Sequence, residues 1–134
     1  FEGLSEEGWG RVTASDPWTV RDTLAHLVGG EVSQQGLIRR WLEGHTQLDP
    51  RFDLDYWNRR QLEKRKGRTP EQLLADLKAA RQTTLQMLNE LDEAALDTPG
   101  EHPFFGETTV EGVFKAVYRH DRMHSTEIRE ALGR

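Results

Sequence analysis

Apolar residues recur at intervals of three and four, the period of an α-helix, along three long stretches of this chain. These stretches run from about Val20 to Leu42, from Thr69-Pro70 to about Leu91, and onward from about Thr108-Thr109. A shorter and more charged helical pattern covers Asp53 to Lys66. No segment carries a convincing strand signal. The pattern therefore predicts an all-α fold, and a length of 134 residues predicts one domain over residues 1–134.

Capping residues mark the starts of two of these helices. Thr19 stands three residues before Asp22, and Thr69 stands three residues before Gln72 with Pro70 between them. In such capping boxes the hydroxyl and the third side chain satisfy free backbone amides at the helix start. Residues 1–15 are predicted to be the tail of a helix and a connection, followed by a turn at 16–18. Because the chain starts at Phe1 without methionine, we expect a preceding segment.

Two segments of the sequence could form part of a ligand-binding site. Gly29-Gly30 lies in the middle of the second helix, where each glycine costs roughly 1 kcal/mol relative to alanine. We expect another helix to approach closely there, and the alternative is space for a ligand. Residues 92–107 form a connection longer than usual between helices, which predicts the rim of a pocket. For His102, within this connection, an exposed loop position is preferred to a ligand role.

Composition and charge exclude several classes of function. The formal net charge is −5, and no block of lysine and arginine stands apart from acidic neighbours, so no nucleic-acid partner is expected. No apolar run approaches the roughly 20 residues that a membrane span needs. The chain contains no cysteine, which excludes disulfides, thiolate ligands and a cysteine nucleophile of its own. The cytoplasm is the expected compartment.

The histidines carry the candidate chemistry. His120 and His124 are four residues apart on the apolar face of the last helix, so both imidazoles should point inward one turn apart. Two such imidazoles can bind one metal ion if another element supplies a third ligand. His26, on the second helix, lies at the edge of the apolar arc, where periodicity alone favours a partly exposed and solvated residue. His45 is expected at the surface.

Three carboxylates lie close to these positions. Glu31 and Asp121 each fall near the middle of an apolar arc, and a buried carboxylate must be paired or neutral. The preferred interpretation is an interhelical salt bridge, and the alternative is a hydrogen bond to the free N–H of a ligating histidine. Glu127, one turn beyond His120, is a candidate for that same support or for a general base. The candidate basic partners are Arg21, Arg39 and Arg122.

Two motifs together resemble a known superfamily. One is the helix start Trp18-Thr19-Val20-Arg21-Asp22-Thr23-Leu24-Ala25-His26-Leu27, and the other is His120-Asp121-Arg122-Met123-His124. The combination is similar to the DinB/YfiT-like superfamily of four-helix-bundle metalloenzymes over about residues 1–132. Within it, the chain most resembles the group that includes the N-terminal domain of mycothiol-dependent maleylpyruvate isomerase.

The resemblance implies a four-helix bundle and a set of three metal ligands. The ligand positions match His26, His120 and His124. The isomerase group has glutamate where this chain has His120, so at this position the chain matches the wider superfamily instead. The resemblance also implies a long first helix, of which this sequence carries only the tail. The bundle would then be completed by a preceding segment or by a partner chain.

The expected activity follows from this ligand set. Three neutral imidazoles leave an open coordination position, as catalytic sites do, and they suit zinc or nickel. The resemblance implies an enzyme acting on a small molecule, either a transferase that uses an external low-molecular-weight thiol or a hydrolase. A non-catalytic, stress-associated bundle that binds a metal or small molecule is the alternative, and histidines that only pack are a third possibility. A homodimer is expected because exposed apolar anchors and a truncated first helix favour association.

Overall fold

Four longer helices form the body of the structure, a computed structural model that describes residues 5–11 and 18–133. The longer helices are α2, α3, α4 and α6, and together they form the predicted four-helix bundle. The predicted turn at 16–18 lies mostly outside the described residues, as do parts of the predicted 1–15 segment. The elements are α1 (Glu6–Trp9), α2 (Val20–Leu42), α3 (Leu54–Lys64), α4 (Pro70–Glu90), α5 (Glu93–Leu96), β1 (Pro99–His102), β2 (Gly106–Thr109) and α6 (Val110–Ala131).

Both predicted capping boxes form. The Thr19 hydroxyl accepts from the Asp22 amide at 3.1 Å, while the Asp22 carboxylate accepts from the Thr19 amide at 3.1 Å. Thr69 and Gln72 make the same reciprocal pair at 3.2 and 2.9 Å. These bonds fix where α2 and α4 begin, and so they fix the height of each helix in the bundle.

Two apolar clusters show how the helices run. One cluster joins the start of α2 to Leu73 at the start of α4 and to Ile128 at the end of α6. The other joins Trp41 at the end of α2 to Val110 at the start of α6. Helix α6 is therefore antiparallel to α2, and α4 is parallel to it. Between the two clusters lies a belt of buried polar side chains, and the candidate site is part of this belt.

Gly29 and Gly30, the adjacent glycines in the middle of α2, allow side chains of other helices to come close, as the preferred interpretation of the sequence expected. A Cβ atom added at Gly29 would stand 2.9 Å from Cβ of Gln61, so α3 packs here at a distance that only glycine permits. A Cβ atom added at Gly30 would stand 3.2 Å from Cε1 of His120. The first glycine therefore allows a helix to approach, and the second leaves room for an imidazole of the candidate site.

The connection before α6 contains a small β-hairpin, which no strand signal in the sequence indicated, within a fold that is otherwise helical as predicted. Pro99–His102 pairs with Gly106–Thr109 in antiparallel register, with Gly100 opposite Thr108. Residues 103–105 form the loop between the strands, and the next residue, Gly106, has a φ of +72°, the left-handed conformation that such hairpins require. Proline, glycine and glutamate have low strand propensity, which is why the segment shows no strand pattern.

The hairpin depends on a glycine at its contact with α2. A Cβ atom at Gly100 would overlap the ring of Trp41, which is 2% exposed and cannot easily move. We expect Gly100→Ala to reduce the free energy of unfolding by about 1–3 kcal/mol, the usual cost of overfilling a packed site. Urea denaturation measures this change.

The matched control is Gly36→Ala in the interior of α2. A Cβ atom there meets nothing within 4 Å. This variant should be more stable than the parent by about 0.5–1 kcal/mol, because alanine restricts the unfolded chain and favours the helix. Equal effects of the two substitutions would contradict the assigned contact between Gly100 and Trp41.

Among the helices of residues 5–11 and 18–133, none combines the length and the apolar character that crossing a membrane requires.

Candidate metal centre

Helices α2 and α6 bring three imidazoles together in the polar belt. His26 comes from α2, and His120 and His124 come from consecutive turns of α6. One ring nitrogen of each lies within 4.8 Å of the others, and Nε2 of His26 is 2.9 Å from Nε2 of His120. His26 is 9% exposed and His124 is 5% exposed. The expectation from periodicity that His26 is partly exposed was therefore wrong, because α6 packs over the edge of the α2 arc.

Neighbouring side chains hold these rings in place. Nδ1 of His124 donates a hydrogen bond to Oε2 of Glu127 at 3.2 Å, as the sequence suggested for this carboxylate. In a neutral imidazole with this tautomer, the other nitrogen, Nε2, is the one that can bind a cation. The indole of Trp18 packs against His26, with ring centroids 4.6 Å apart, and lies 6.5 Å from the ring of His124. The rings are thus oriented by contacts on two sides.

Burial keeps two of the imidazoles neutral. It lowers the pKa of His26 to about 3, and the positive charges that His120 and His124 would carry act in the same direction. Burial also lowers the pKa of His120 to about 4, with a further contribution from His124 and an opposing one from Glu127. Near pH 7 both side chains therefore offer nitrogen lone pairs.

The donor set fits a divalent ion. Tetrahedral zinc with Zn–N bonds of about 2.0–2.1 Å requires nitrogens about 3.3 Å apart. Nε2 of His26 and Nε2 of His120 are 2.9 Å apart, and one ring nitrogen of each histidine lies within 4.8 Å of the others, so the rings are close enough to share one ion. The cluster contains no carboxylate or thiolate donor, and three imidazoles suit zinc, nickel or copper better than magnesium or calcium.

Comparison with known proteins supports the same family that the two motifs suggest. The family model of the DinB superfamily matches residues 1–128. The chain belongs to the DinB superfamily. This DinB fold is also similar to a solved structure, YfiT from Bacillus subtilis, described as a probable metal-dependent hydrolase with an unusual four-helix bundle topology. The TM-score is 0.75 at 20% sequence identity, over 97% of this chain and 75% of that one, and it shows the shared fold. No curated protein matches this chain.

The low pKa values of the DinB histidines predict how the metal-free protein responds to acid. Above about pH 6.5 these imidazoles are neutral in both the folded and the unfolded protein, so folding releases no proton from them. Below about pH 6.5 these histidines bind protons in the unfolded state but not in the folded state, so the free energy of unfolding falls as pH falls. The loss should approach about 1.4 kcal/mol per pH unit for each of the two histidines. It should continue towards their folded pKa values of about 4 and 3.

Urea unfolding at pH 7.5 and 5.5 in the presence of EDTA measures this slope. His26→Asn should remove roughly half of the part that His26 and His120 contribute, because asparagine does not titrate. His45→Asn, in an exposed loop, is the matched control and should leave the slope unchanged. A slope that His26→Asn does not alter would contradict the assignment of neutral, buried imidazoles.

The partner of Glu31, which is buried, and of Asp121, which is partly buried, differs from the prediction. Glu31 and Asp121 both bind Arg81 of α4, and none of the arginines predicted from the sequence serves this role. Nε and Nη2 of Arg81 donate to Glu31 at 3.0 and 2.9 Å, and Nη2 also contacts Asp121. The bonds to Glu31 are the largest cause that raises the pKa of Arg81. Burial raises the pKa of Asp121, against the effect of Arg81.

A sequence signal for Arg81 existed. Arg81 stands four residues after Leu77 and three before Thr84, so its spacing continues the apolar stripe of α4, where an apolar residue would be expected. A charged residue at such a position points to an acid on a facing helix. Thr84 extends the network by donating its hydroxyl to Oε2 of Glu31 at 2.7 Å.

His102 and His45 take no part in the cluster. His102 is 5% exposed, so the prediction of an exposed loop position was wrong. Its Nε2 bonds to Oε1 of Gln34 at 2.9 Å, and its Nδ1 accepts from the amides of Phe104 and Phe105. These bonds use both ring nitrogens to hold the hairpin against α2. His45 is exposed, as predicted.

Proposed function

We propose that this chain is a divalent-metal-dependent enzyme that hydrolyses a small molecule at the site formed by His26, His120 and His124. The observation that carries the proposal is the convergence of three buried imidazole nitrogens from two helices. A divalent ion held by three imidazoles supplies Lewis acidity, which makes a water molecule or a thiol more acidic near neutral pH. The description of YfiT as a probable metal-dependent hydrolase supports hydrolysis as the reaction class.

The residues of the chain have distinct roles in this proposal. Burial holds His26 and His120 in the neutral form that binds a cation. Glu127 accepts a hydrogen bond from Nδ1–H of His124. This bond fixes the tautomer of His124 and raises the basicity of its Nε2. Glu127 is therefore first a positioning residue, and its role as a general base stays a prediction. Trp18 limits rotation of the His26 ring.

The finer features of the function rest on the donor chemistry and on the resemblance. We propose zinc or nickel as the ion, because neutral imidazole ligands suit both. A small-molecule substrate, an external thiol as cosubstrate, a homodimer and a cytoplasmic location stay predictions from the sequence. Use of a thiol would require that it arrive from outside, because the chain contains no cysteine.

The test begins with elemental analysis of protein purified without a histidine tag, as isolated and after incubation with zinc or nickel. We expect about one ion per chain, lost in His26→Ala and in His124→Ala. His45→Ala is the matched control, since it removes an exposed histidine from a loop. Loaded protein is then assayed on a panel of esters, amides and lactones, and separately with mycothiol or glutathione and electrophilic acceptors.

The possible results separate the alternatives. Hydrolysis that needs both the ion and His26 supports the proposal. Turnover only with a thiol replaces hydrolysis by thiol transfer. A bound ion without turnover in either assay identifies a non-catalytic metal-binding bundle. Failure of the parent protein to bind either ion removes the metal centre and leaves three histidines that pack.

A further inference from the structure

A second concave site lies on another face of α2. Helices α2, α3 and α4 enclose an open cleft of about 470 Å³. Its apolar wall includes Val28, Val32 and Ala79, and its basic rim consists of Lys64, Arg65 and Arg68. None of the three clustered histidines lines it. Val28 follows His26 by two residues, which places the two side chains about 200° apart around the helix. The cleft is thus separate from the candidate metal centre.

The charge of the cleft differs in sign from that of the chain. Its lining contains three cationic side chains and one acid, Asp76, in a chain whose net charge is −5. Nε and Nη2 of Arg68 hold the two carboxylate oxygens of Asp76 at 3.1 and 2.8 Å. This pair neutralises itself. Lys64 and Arg65 are left as cations with no acidic partner within ion-pair distance among residues 5–11 and 18–133.

Arg65 is the cation that is held in place. Its Nη1 donates to the backbone oxygen and to Oε1 of Gln61, at 3.2 and 3.0 Å. The same Nη1 would lie 3.3 Å from a Cβ atom at Gly29, so the absence of a side chain there lets the guanidinium lie against α2. Burial lowers the pKa of Arg65, against the effect of the Asp76 carboxylate, which lies near it but beyond ion-pair distance. The described residues accept no hydrogen bond from Nε or Nη2 of Arg65, and guanidinium N–H groups of this kind can donate to the oxygens of an anion.

The rest of the cleft suits an apolar group. Val32 is 44% exposed although it lies in the middle of α2, and Ala79 is exposed opposite it on α4. A ligand that covered these side chains would remove apolar surface from water, while its charged end reached Arg65. The volume is within the range of pockets that bind small organic molecules, roughly 300–1,000 Å³.

We propose that this cleft binds a small organic carboxylate with an apolar body, anchored by Arg65 and covered on one side by Val32. Arginine presents paired N–H donors that match the two oxygens of a carboxylate. The apolar walls select for molecules larger than a bare inorganic anion. The site does not depend on a metal ion, so it stands or falls independently of the proposed enzymatic function.

Isothermal titration calorimetry of tag-free protein in EDTA tests the site, with benzoate, phenylacetate and octanoate as probes. Benzamide has nearly the shape of benzoate without its charge, and inorganic phosphate has charge without an apolar body. We expect at least one of the carboxylates to bind to the cleft. Benzamide and phosphate should bind to the cleft at least about tenfold more weakly than that carboxylate, in line with the contribution of a charged hydrogen-bonded pair. Arg65→Gln should weaken carboxylate binding to a similar extent.

Arg59→Gln is the matched control, because it removes the same charge from an exposed position of α3 that does not line the cleft. If Arg65→Gln does not fold, Val32→Asp carries the test, since it places a repelling charge at an exposed cleft wall. Equal loss in Arg59→Gln and Arg65→Gln would show general attraction of anions and overturn the proposal. No binding of any carboxylate at millimolar concentration would also overturn it, as would phosphate binding as tightly as benzoate. Loss of binding in His26→Ala would reassign it to the metal centre.

Discussion

Arg81→Met is expected to reduce the free energy of unfolding by about 3 kcal/mol, the lower end of the range for breaking a buried ion pair. The side chain of Glu31 is 1% exposed, and Arg81 is its cationic partner. Methionine keeps most of the volume of arginine but leaves Glu31 with the Thr84 hydroxyl and no cation. The lower end applies because Arg81 is 39% exposed, so water screens part of the interaction.

Urea denaturation measures the loss, and a second substitution tests its cause. Glu31→Gln in the Arg81→Met background should recover much of the stability, because a neutral amide is cheaper to bury than a carboxylate. Lys115→Met is the comparison on α6, since it breaks an exposed pair with Glu111 one turn away. It should cost about 0.5 kcal/mol or less. A cost for Arg81→Met that matches that of Lys115→Met would refute the role assigned to this network.

Zinc or nickel is expected to raise the melting temperature of the tag-free parent protein strongly, and the increase should vanish in His26→Asn. An ion at about 1,000 times its dissociation constant stabilises the folded state by about 4 kcal/mol. For a chain of this length that corresponds to an increase of roughly 10–20 °C. His26 should be necessary because it is the donor that α2 contributes to the cluster.

Differential scanning fluorimetry at pH 7.5, with metal and with EDTA, checks this expectation. Glu127→Gln should retain the shift but require about 10–100-fold more metal, because the glutamine leaves the ligand in place and weakens only its support. His45→Asn should behave like the parent. The same temperature increase in parent and His26→Asn would mean that metal binds elsewhere, and the cluster would lose its assigned role.

The helices could be predicted because their signals are local. Thr19 and Thr69 each act within three residues, and these capping interactions form whatever the rest of the chain does. The one-turn spacing of His120 and His124 is local too, which is why their shared face was correctly predicted. The hairpin lacked such a local signal. Gly100 is required because a side chain there would overlap the ring of Trp41, which is far away in sequence.

The contacts within the polar belt could not be predicted from local patterns, because they depend on which helices pack against each other. Arg21, Arg39 and Arg122 were reasonable partners for Glu31 and Asp121 by residue type. The choice of Arg81 depends on the parallel placement of α4 beside α2, which no short pattern encodes. The burial of His26 has the same origin, since its own helix places it at the edge of an apolar arc and α6 covers it. The resemblance to a family supplied the third histidine, which periodicity alone did not favour.

The separation of His26 and His120 by 94 positions along the chain has a consequence for biosynthesis. Joining the ends of such a loop costs about 4 kcal/mol from the logarithmic entropy term alone, before any contact offsets it. While a ribosome has made α2, α3 and α4 but not α6, the nascent chain holds only one of the three imidazoles. The three-imidazole cluster can therefore form only after α6 docks, and a chain stalled before this helix would present Glu31 and Arg81 without the acid and the imidazoles that α6 brings.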